Sequence, residues 1–259
     1  REKKVVRLAF NASDAAIKLG ATKELAAAIA ERGTVRVLTL YNMKRRTGFI
    51  LLKTLVELQS SVRSVVLEDL ELPEAWSDAQ ASSLLAGCNW RELVVRNSQK
   101  TDKLKREDVQ RMWDSIASGL GGNTTVERLT LENLPGAHNG DIGRFLDKVV
   151  RCRQLRQLNL SMQDIWDRIK VKTLADFIGN APALEELRVG GIERTHLEIK
   201  DLADALADSG TTLRRLDIRP LLVPGVVGKP LAVGVRVDDA LRDRLEEICL
   251  KNPNLQIVG

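Results

Sequence analysis

A short pattern of apolar positions recurs along the chain: one apolar residue, two further residues, a second apolar residue, one further residue and a third apolar residue. Successive copies start 27 to 36 residues apart. Because the last two apolar positions alternate with period two, each copy predicts a short β-strand with one buried face. The eight complete copies are Val5-Leu8-Phe10, Val35-Leu38-Leu40, Val62-Val65-Leu67, Trp90-Leu93-Val95, Val126-Leu129-Leu131, Leu155-Leu158-Leu160, Leu184-Leu187-Val189 and Leu213-Leu216-Ile218, and a partial ninth is Leu255-Ile257.

Between the predicted strands, apolar residues recur at spacings of three and four, which predicts amphipathic helices. Val109, Met112, Ile116 and Leu120 form one such stripe. Strands and helices that alternate in units of about 29 residues are typical of a solenoid. Parallel strands lie about 4.8 Å apart, whereas packed helices need about 8–10 Å. We therefore expect a curved array with a concave parallel sheet and convex helices.

The repeated unit resembles that of leucine-rich repeat proteins, and its length is similar to that of their ribonuclease-inhibitor type. The resemblance covers nearly the whole chain and is clearest at residues 126–134, 155–160, 184–189 and 213–218. It implies an α/β leucine-rich repeat solenoid, or horseshoe, of about eight to nine repeats. Residues 1–259 are accordingly expected to form a single domain.

One feature of the family pattern is missing from this chain. The family usually has Asn or Cys three residues after the second strand leucine, where the side chain satisfies backbone groups of the turn. This chain is therefore expected to belong to a divergent branch, in which the turns satisfy their buried backbone in another way. The apolar residues at these positions are Met43, Leu70, Leu134, Ile192 and Leu221.

Two repeats contain insertions, at residues 99–108 and 219–236. The second insertion combines three prolines with many apolar residues. We interpret it as a partial cap over the last repeat, with a partner-docking loop as the alternative. The chain begins and ends within a few residues of a predicted strand, and exposed strand edges favour association. We therefore expect that the protein continues beyond both ends or that a partner covers them.

Residues that alternate with the inward positions are predicted to face out of the concave sheet. They combine both signs of charge with the single tyrosine, whereas a nucleic-acid groove would be nearly uniformly basic. Tyr and Arg are favoured anchors of protein interfaces, so this face and the adjoining strand-to-helix loops predict a site for a protein partner. The candidate contact residues are Tyr41, Glu68, Arg96, Arg128, Glu132, Asn159, Arg188, Asp217 and Arg219.

The composition disfavours several other classes of protein. Four Phe, four Trp and one Tyr are too few for a base-stacking platform. Two His and three widely spaced Cys indicate neither a metal site nor a disulfide framework. The chain contains no run of eighteen apolar residues, so the sequence predicts no membrane span. We expect an intracellular protein, with the cytoplasm favoured and an organelle left open. The net charge of +5 is expected to be scattered over both faces.

No Gly-rich phosphate loop or nucleophile–His–acid set is recognisable. We therefore predict a non-enzymatic protein-interaction module, or a structural subunit of a larger complex, without catalytic, cofactor-binding or metal-binding residues. Two alternatives stay open. GTPase-activating proteins of the leucine-rich repeat type share the repeat subtype, although no motif here identifies a catalytic residue. An RNA-associated subunit of an organellar ribonucleoprotein is the other alternative, because the stretches 44–46 and 100–106 are basic.

Overall fold

The structure is a computed structural model of the 259-residue chain. It describes residues 6–11, 19–42, 47–69, 79–96, 105–132, 134, 139–160, 171–189, 206–207, 212–217, 243, 246–250 and 253–258. The candidate Arg219 and the insertion at 219–236 lie outside these residues.

Nine strands and six helices are defined within the described part of the chain. The strands are β1 (Val6–Asn11), β2 (Val35–Tyr41), β3 (Ser64–Glu68), β4 (Glu92–Arg96), β5 (Arg128–Glu132), β6 (Gln157–Leu160), β7 (Glu186–Val189), β8 (Arg215–Asp217) and β9 (Gln256–Val258). The helices are α1 (Leu19–Arg32), α2 (Thr47–Glu57), α3 (Ala79–Gly87), α4 (Arg106–Gly121), α5 (Asn139–Val149) and α6 (Val171–Asn180). Among the described helices, none is both long and apolar enough to cross a bilayer.

All nine strands form one open parallel sheet in the order in which they follow along the chain. Every strand pairs with its sequence neighbours, and a helix lies between each of the first six strands and the next. Neighbouring helices pack on one another in the same order. This arrangement is an α/β solenoid of the leucine-rich repeat type, with strands on the concave side and helices on the convex side, which confirms the predicted fold class.

The core is formed by the inward positions of the recurring strand pattern. In β5, Leu129 and Leu131 are at most 1% exposed, and their neighbours Leu158 and Leu160 in β6 are equally buried. The sheet register pairs Leu129 with Leu158. Each repeat therefore places its leucines on those of the next repeat, and one continuous apolar layer runs between sheet and helices.

Helix α4 shows how the convex layer is closed. Its predicted stripe of Val109, Met112, Ile116 and Leu120 is buried, as is Trp113. The predicted insertion at 99–108 is shorter in the structure, because α4 already begins at Arg106. Glu107 and Asp108 occupy its first turn, where acidic side chains stabilise the positive end of the helix dipole.

Glycines allow α4 to approach both neighbouring helices closely. A Cβ atom added at Gly119 would lie 2.6 Å from Leu85 Cβ and 2.7 Å from the Ser82 carbonyl oxygen of α3. A Cβ atom at Gly121 would lie 2.9 Å from the Lys148 carbonyl oxygen of α5. Any larger residue at these two positions would force the helices apart.

Hydroxyl side chains in the helix-to-strand loops tie each repeat to the one before it. Ser61 Oγ donates to the Val35 carbonyl oxygen at 2.9 Å, and Thr125 Oγ1 lies 3.1 Å from the Trp90 carbonyl oxygen. Thr212 Oγ1 donates in the same way to the Leu184 carbonyl oxygen at 2.8 Å. In all three cases the hydroxyl residue directly precedes the first apolar residue of its repeat, and the carbonyl oxygen belongs to the first apolar residue of the preceding repeat.

Asn123 is the most extensively bonded side chain of these loops. Its Nδ2 donates to the carbonyl oxygens of Leu85 at 2.7 Å and Cys88 at 3.1 Å. Its Oδ1 accepts from the backbone N–H groups of Thr125 and Val126, both at 2.7 Å. Asn123 is only 2% exposed. Its side chain therefore satisfies two buried carbonyl groups of one repeat and two backbone N–H groups of the next.

The turns that follow the strands satisfy their backbone without the family asparagine. Asn42 and Asp69 directly follow β2 and β3 with φ values of 50° and 55°, a left-handed conformation that Asn and Asp adopt more readily than most residues. Their N–H groups donate to the carbonyl oxygens of Glu68 and Arg96, each at 3.0 Å. Leu134, at the usual asparagine position, is 1% exposed and belongs to the core. The other four predicted apolar positions lie outside the described residues.

Candidate binding surface on the concave face

The sheet register arranges the outward residues in columns that run across the strands. The central column consists of Ala9, Thr39, Val66, Val94, Thr130, Asn159, Arg188 and Asp217. On its carboxyl-end side lie Asn11, Tyr41, Glu68, Arg96 and Glu132. On its amino-end side lie Arg7, Val37, Ser64, Glu92, Arg128, Gln157, Glu186, Arg215 and Gln256. Eight of the nine candidate residues are therefore on this face.

The first half of the central column is a trough of small side chains. Thr39 and Val66 are half-buried, and Val94 is 7% exposed although it points out of the sheet. Tyr41 stands beside this trough with 38% of its surface exposed. In the register Tyr41 lies opposite Glu68 of the next strand. This part of the face offers an apolar floor with one aromatic side chain at its margin.

A charged network follows along the carboxyl-end column. Arg96 Nε donates to Glu132 Oε2 at 2.7 Å, and Arg96 Nη1 lies 3.4 Å from Glu68 Oε1. Asn159 Nδ2 donates to the other oxygen of Glu132 at 3.0 Å. Burial lowers the pKa of Arg96, but the bonds and charges of the two carboxylates outweigh it and raise the pKa above its usual value. Four candidate residues from four successive strands are thus held together.

A second network occupies the amino-end column. Glu92 accepts from Ser64 Oγ at 2.5 Å and from Arg128 Nε at 3.2 Å. Burial of Glu92 opposes its ionisation, yet these two hydrogen bonds and the charges of Arg128 and Arg7 prevail, so that its pKa is lowered. The candidate Arg128 is therefore anchored by Glu92, which the alternation predicts on the same face but which is not among the predicted contact residues.

The last two candidates meet near the end of the described sheet. Arg188 Nε lies 3.7 Å from Asp217 Oδ2, and Asp217 is only 3% exposed. Both residues line a shallow pocket of about 200 Å³ in the concave face. Its lining residues are Glu92, Arg128, Leu129, Thr130, Gln157, Leu158, Asn159, Glu186, Leu187, Arg188, Arg215 and Asp217.

A further row of charged residues was missed at the amino ends of the strands. Two residues separate the first and second inward positions of each complete repeat, as Glu127 and Arg128 separate Val126 and Leu129. The alternation predicts that only the second of these two residues faces outward, so the first was missed. In successive repeats this position is occupied by Arg36, Arg63, Arg91, Glu127, Arg156, Glu185 and Arg214. We call these residues the arginine row. Its signal, five arginines at one repeat position, is visible in the sequence once the repeats are aligned.

Two of the three cysteines are buried. Cys88 and Cys152 are buried free thiols in helix-to-strand loops, and burial raises the pKa of Cys88 to about 11. Burial also raises the pKa of Cys152, whereas Cys249 is half-buried. Thiols with a raised pKa are poor nucleophiles and poor metal ligands at neutral pH. Within the described ranges, no group of three or more His, Cys, Asp or Glu side chains could hold a metal ion.

Comparison with known proteins adds one distant structural likeness. No family model matches the chain, and no curated protein matches it. Among the solved structures that match is the crystal structure of the Rad7 and Elc1 complex in yeast, with 15% sequence identity and a TM-score of 0.31. The match covers 81% of this chain and 62% of that chain, so the present chain spans less than two thirds of its length.

Proposed function

We propose that this chain is a non-enzymatic protein-interaction scaffold that binds a protein partner on its concave face and the adjoining strand-to-helix loops. In this proposal residues 1–259 form a single domain of the ribonuclease-inhibitor type. The observation that carries the proposal is the continuity of the concave face, where side chains from nine strands are presented in register. A surface built in this way suits a partner that contacts many repeats at once.

The physical character of the face supports a protein partner. The apolar trough at Val66 and Val94, with Tyr41 at its margin, offers area that a partner can desolvate. The charged residues around it are already held by one another, as in the network of Arg96, so little side-chain entropy is lost when a partner docks. Fixed charges of both signs around an apolar centre favour selectivity among partners more than general adhesion.

The same networks support a role without catalysis. A catalytic acid or base requires a pKa near the working pH, which is usually reached by raising the pKa of a carboxyl group. Glu92, the carboxylate with the strongest hydrogen bonds on this face, instead has a lowered pKa. Paired in this way, it stays ionised at neutral pH and acts as a fixed charge.

A cross-linking experiment on the complete protein tests this proposal. A photo-reactive phenylalanine analogue at position 41 should cross-link the partner in cells, whereas the same analogue at the exposed Lys172 of the convex helix α6 should not. Val66→Arg, which fills the trough, should abolish the cross-link from position 41 without unfolding the chain. Equal cross-linking from positions 41 and 172, or a cross-link that persists in Val66→Arg, would show that the concave face is not the docking site.

A further inference from the structure

The amino ends of the strands and the helix-to-strand loops form one edge of the solenoid. We define this amino edge as the arginine row, the neighbouring outward column from Arg7 to Arg215, and the loops between each described helix and the strand that follows it. Its charged residues are Arg7, Arg36, Arg63, Arg91, Glu92, Glu127, Arg128, Arg151, Arg153, Arg156, Glu185, Glu186, Arg214 and Arg215. Ten arginines against four glutamates leave a formal charge of +6.

The charge of this edge exceeds that of the chain as a whole, which is +5. The expectation that the net charge is scattered over both faces stays a prediction, because many charged residues, including those at 44–46, lie outside the described residues. On the opposite, carboxyl-end column, the two glutamates that bind Arg96 leave a charge of −1. Among the described residues of the concave face, the amino edge is therefore the basic side.

Several of these arginines have no carboxylate partner within the described part of the chain. Arg36 donates to the Ser61 carbonyl oxygen at 2.8 Å, and Arg63 lies near two backbone carbonyl oxygens; neither contact neutralises a cation. Arg151 and Arg153 are exposed and line a pocket beside α6 together with Asn180 and Pro182. These four cations leave a positive potential along the edge that can steer and hold an anionic partner.

The pattern within the row favours a spaced set of carboxylates. From β4 to β8 the row alternates strictly, as Arg91, Glu127, Arg156, Glu185 and Arg214. Each glutamate lies beside the arginine before it, at 3.7 Å from Arg91 and 2.6 Å from Arg156. A continuous phosphate backbone along this stretch would also meet the two glutamates between the three arginines and be repelled by them. Acidic side chains placed only opposite the arginines avoid that repulsion.

The spacing of the row sets the spacing of its ligand. Arginines on alternate parallel strands are about 9.6 Å apart. Acidic residues three apart in an extended polyproline II segment share one face and are separated by about 9.3 Å, and residues seven apart in a helix are separated by about 10.5 Å. Both spacings match the row. Guanidinium groups also bind carboxylates through two parallel hydrogen bonds, which lysines cannot do, and the charged edge contains no lysine among its described residues.

From these observations we propose that the amino edge docks an acidic segment of a protein partner, in which Asp or Glu side chains recur about 10 Å apart along the arginine row. This proposal rests on the proposed function in that the ligand is a protein, but it concerns a different surface from the concave trough. The two surfaces adjoin each other, so one partner can occupy both.

Fluorescence anisotropy with defined probes tests the proposal on the complete chain. The first probe is a labelled extended peptide with Glu at every third position and Ser elsewhere; the second is the same peptide with Lys in place of Glu; the third is a labelled oligouridylate of equal length. The edge variant carries Arg151→Glu, Arg214→Glu and Arg215→Glu, all at exposed positions. The control variant makes the same charge change on the convex helices, with Lys23→Glu, Arg106→Glu and Lys172→Glu.

We expect the acidic peptide to bind the wild type, the lysine peptide not to bind, and the edge variant to lose at least tenfold in affinity. The control variant should lose less than threefold, because its substitutions change the net charge equally but lie away from the row. Equal losses in both variants would overturn the proposal, since binding would then follow net charge alone. Tighter binding of oligouridylate than of the acidic peptide at physiological salt would also overturn it and indicate a nucleic acid.

The concave-face experiment separates this proposal from the proposed function. If the edge proposal alone is wrong, Val66→Arg still abolishes the cross-link from position 41 while the edge variant leaves it intact. If the proposed function is wrong, the cross-link from position 41 is absent in the wild type, whatever the peptide binding shows.

Discussion

Replacing Asn123 with alanine is expected to lower the free energy of unfolding by about 3 kcal/mol. The substitution leaves the buried N–H groups of Thr125 and Val126 without the oxygen that each donates to at 2.7 Å. The carbonyl oxygens of Leu85 and Cys88 keep a second donor, from Cys88 Sγ and Thr125 Oγ1 respectively. An unsatisfied buried donor costs about 1–3 kcal/mol, and two of them cost about 2–6 kcal/mol. Because Thr125 is half-buried, water offsets part of this cost.

Urea unfolding of the complete chain, followed by circular dichroism, measures this loss. Hydrogen exchange provides the local test, because the amides of residues 125 and 126 should lose protection while those of α2 should not. Ser61→Ala serves as the matched control, since it removes a single loop hydrogen bond and should cost about 1 kcal/mol. The reasoning is refuted if Asn123→Ala costs no more than Ser61→Ala and leaves the two amides protected.

Two further predictions concern packing and pH. Gly119→Ala should destabilise the protein by at least about 2 kcal/mol in thermal or urea unfolding, because the new Cβ atom overlaps Leu85 and Ser82. Gly179→Ala is the control: its Cβ atom would meet nothing within 4 Å, so this substitution should stabilise the protein by up to about 1 kcal/mol. Stabilisation by both substitutions would contradict the close approach of the helices. The pKa of Cys88 is raised from 9.0 to about 11, so this thiol ionises first in the unfolded chain. The contribution of Cys88 to the unfolding free energy is constant below about pH 9 and should fall by roughly 3 kcal/mol up to pH 11. Cys88→Ala should remove this pH-dependent fall, and a fall of equal size in that variant would assign the effect to other groups.

The inward half of the structure was predictable from the sequence because it follows a single rule. Leu129, Leu158 and Leu187 occupy the same position in three successive repeats, and a buried apolar position tolerates few other residue types. The same alignment placed Arg96 in one column with Glu68 and Glu132. Their mutual bonding could have been predicted from that column, since opposite charges on adjacent strands attract each other.

The remaining features depend on single side chains and not on the repeat. None of the other seven complete repeats has an asparagine where Asn123 stands, three residues before the first apolar position, and only the partial ninth copy has one, Asn252 before Leu255. The four bonds of Asn123 follow from the local course of the chain around it. The arginine row was missed for another reason. Strict alternation predicts a single outward residue between two inward residues. At the start of the strands, however, the N–H groups of two successive residues donate to one carbonyl oxygen, as those of Glu127 and Arg128 donate to that of Arg91. Two residues therefore lie between the inward positions there.

The close approach of α4 to its neighbours at Gly119 and Gly121 has a consequence for the curvature of the solenoid. Each repeat rotates relative to the next because helices are spaced more widely than strands. At a helix spacing of about 10 Å the excess over the strand spacing is about 5 Å, and at about 8 Å it is only about 3 Å. Glycines that bring helices closer therefore reduce the bend between their repeats. Residues with larger side chains at positions 119 and 121 would widen the helix spacing and bend the sheet more sharply where β3, β4 and β5 meet.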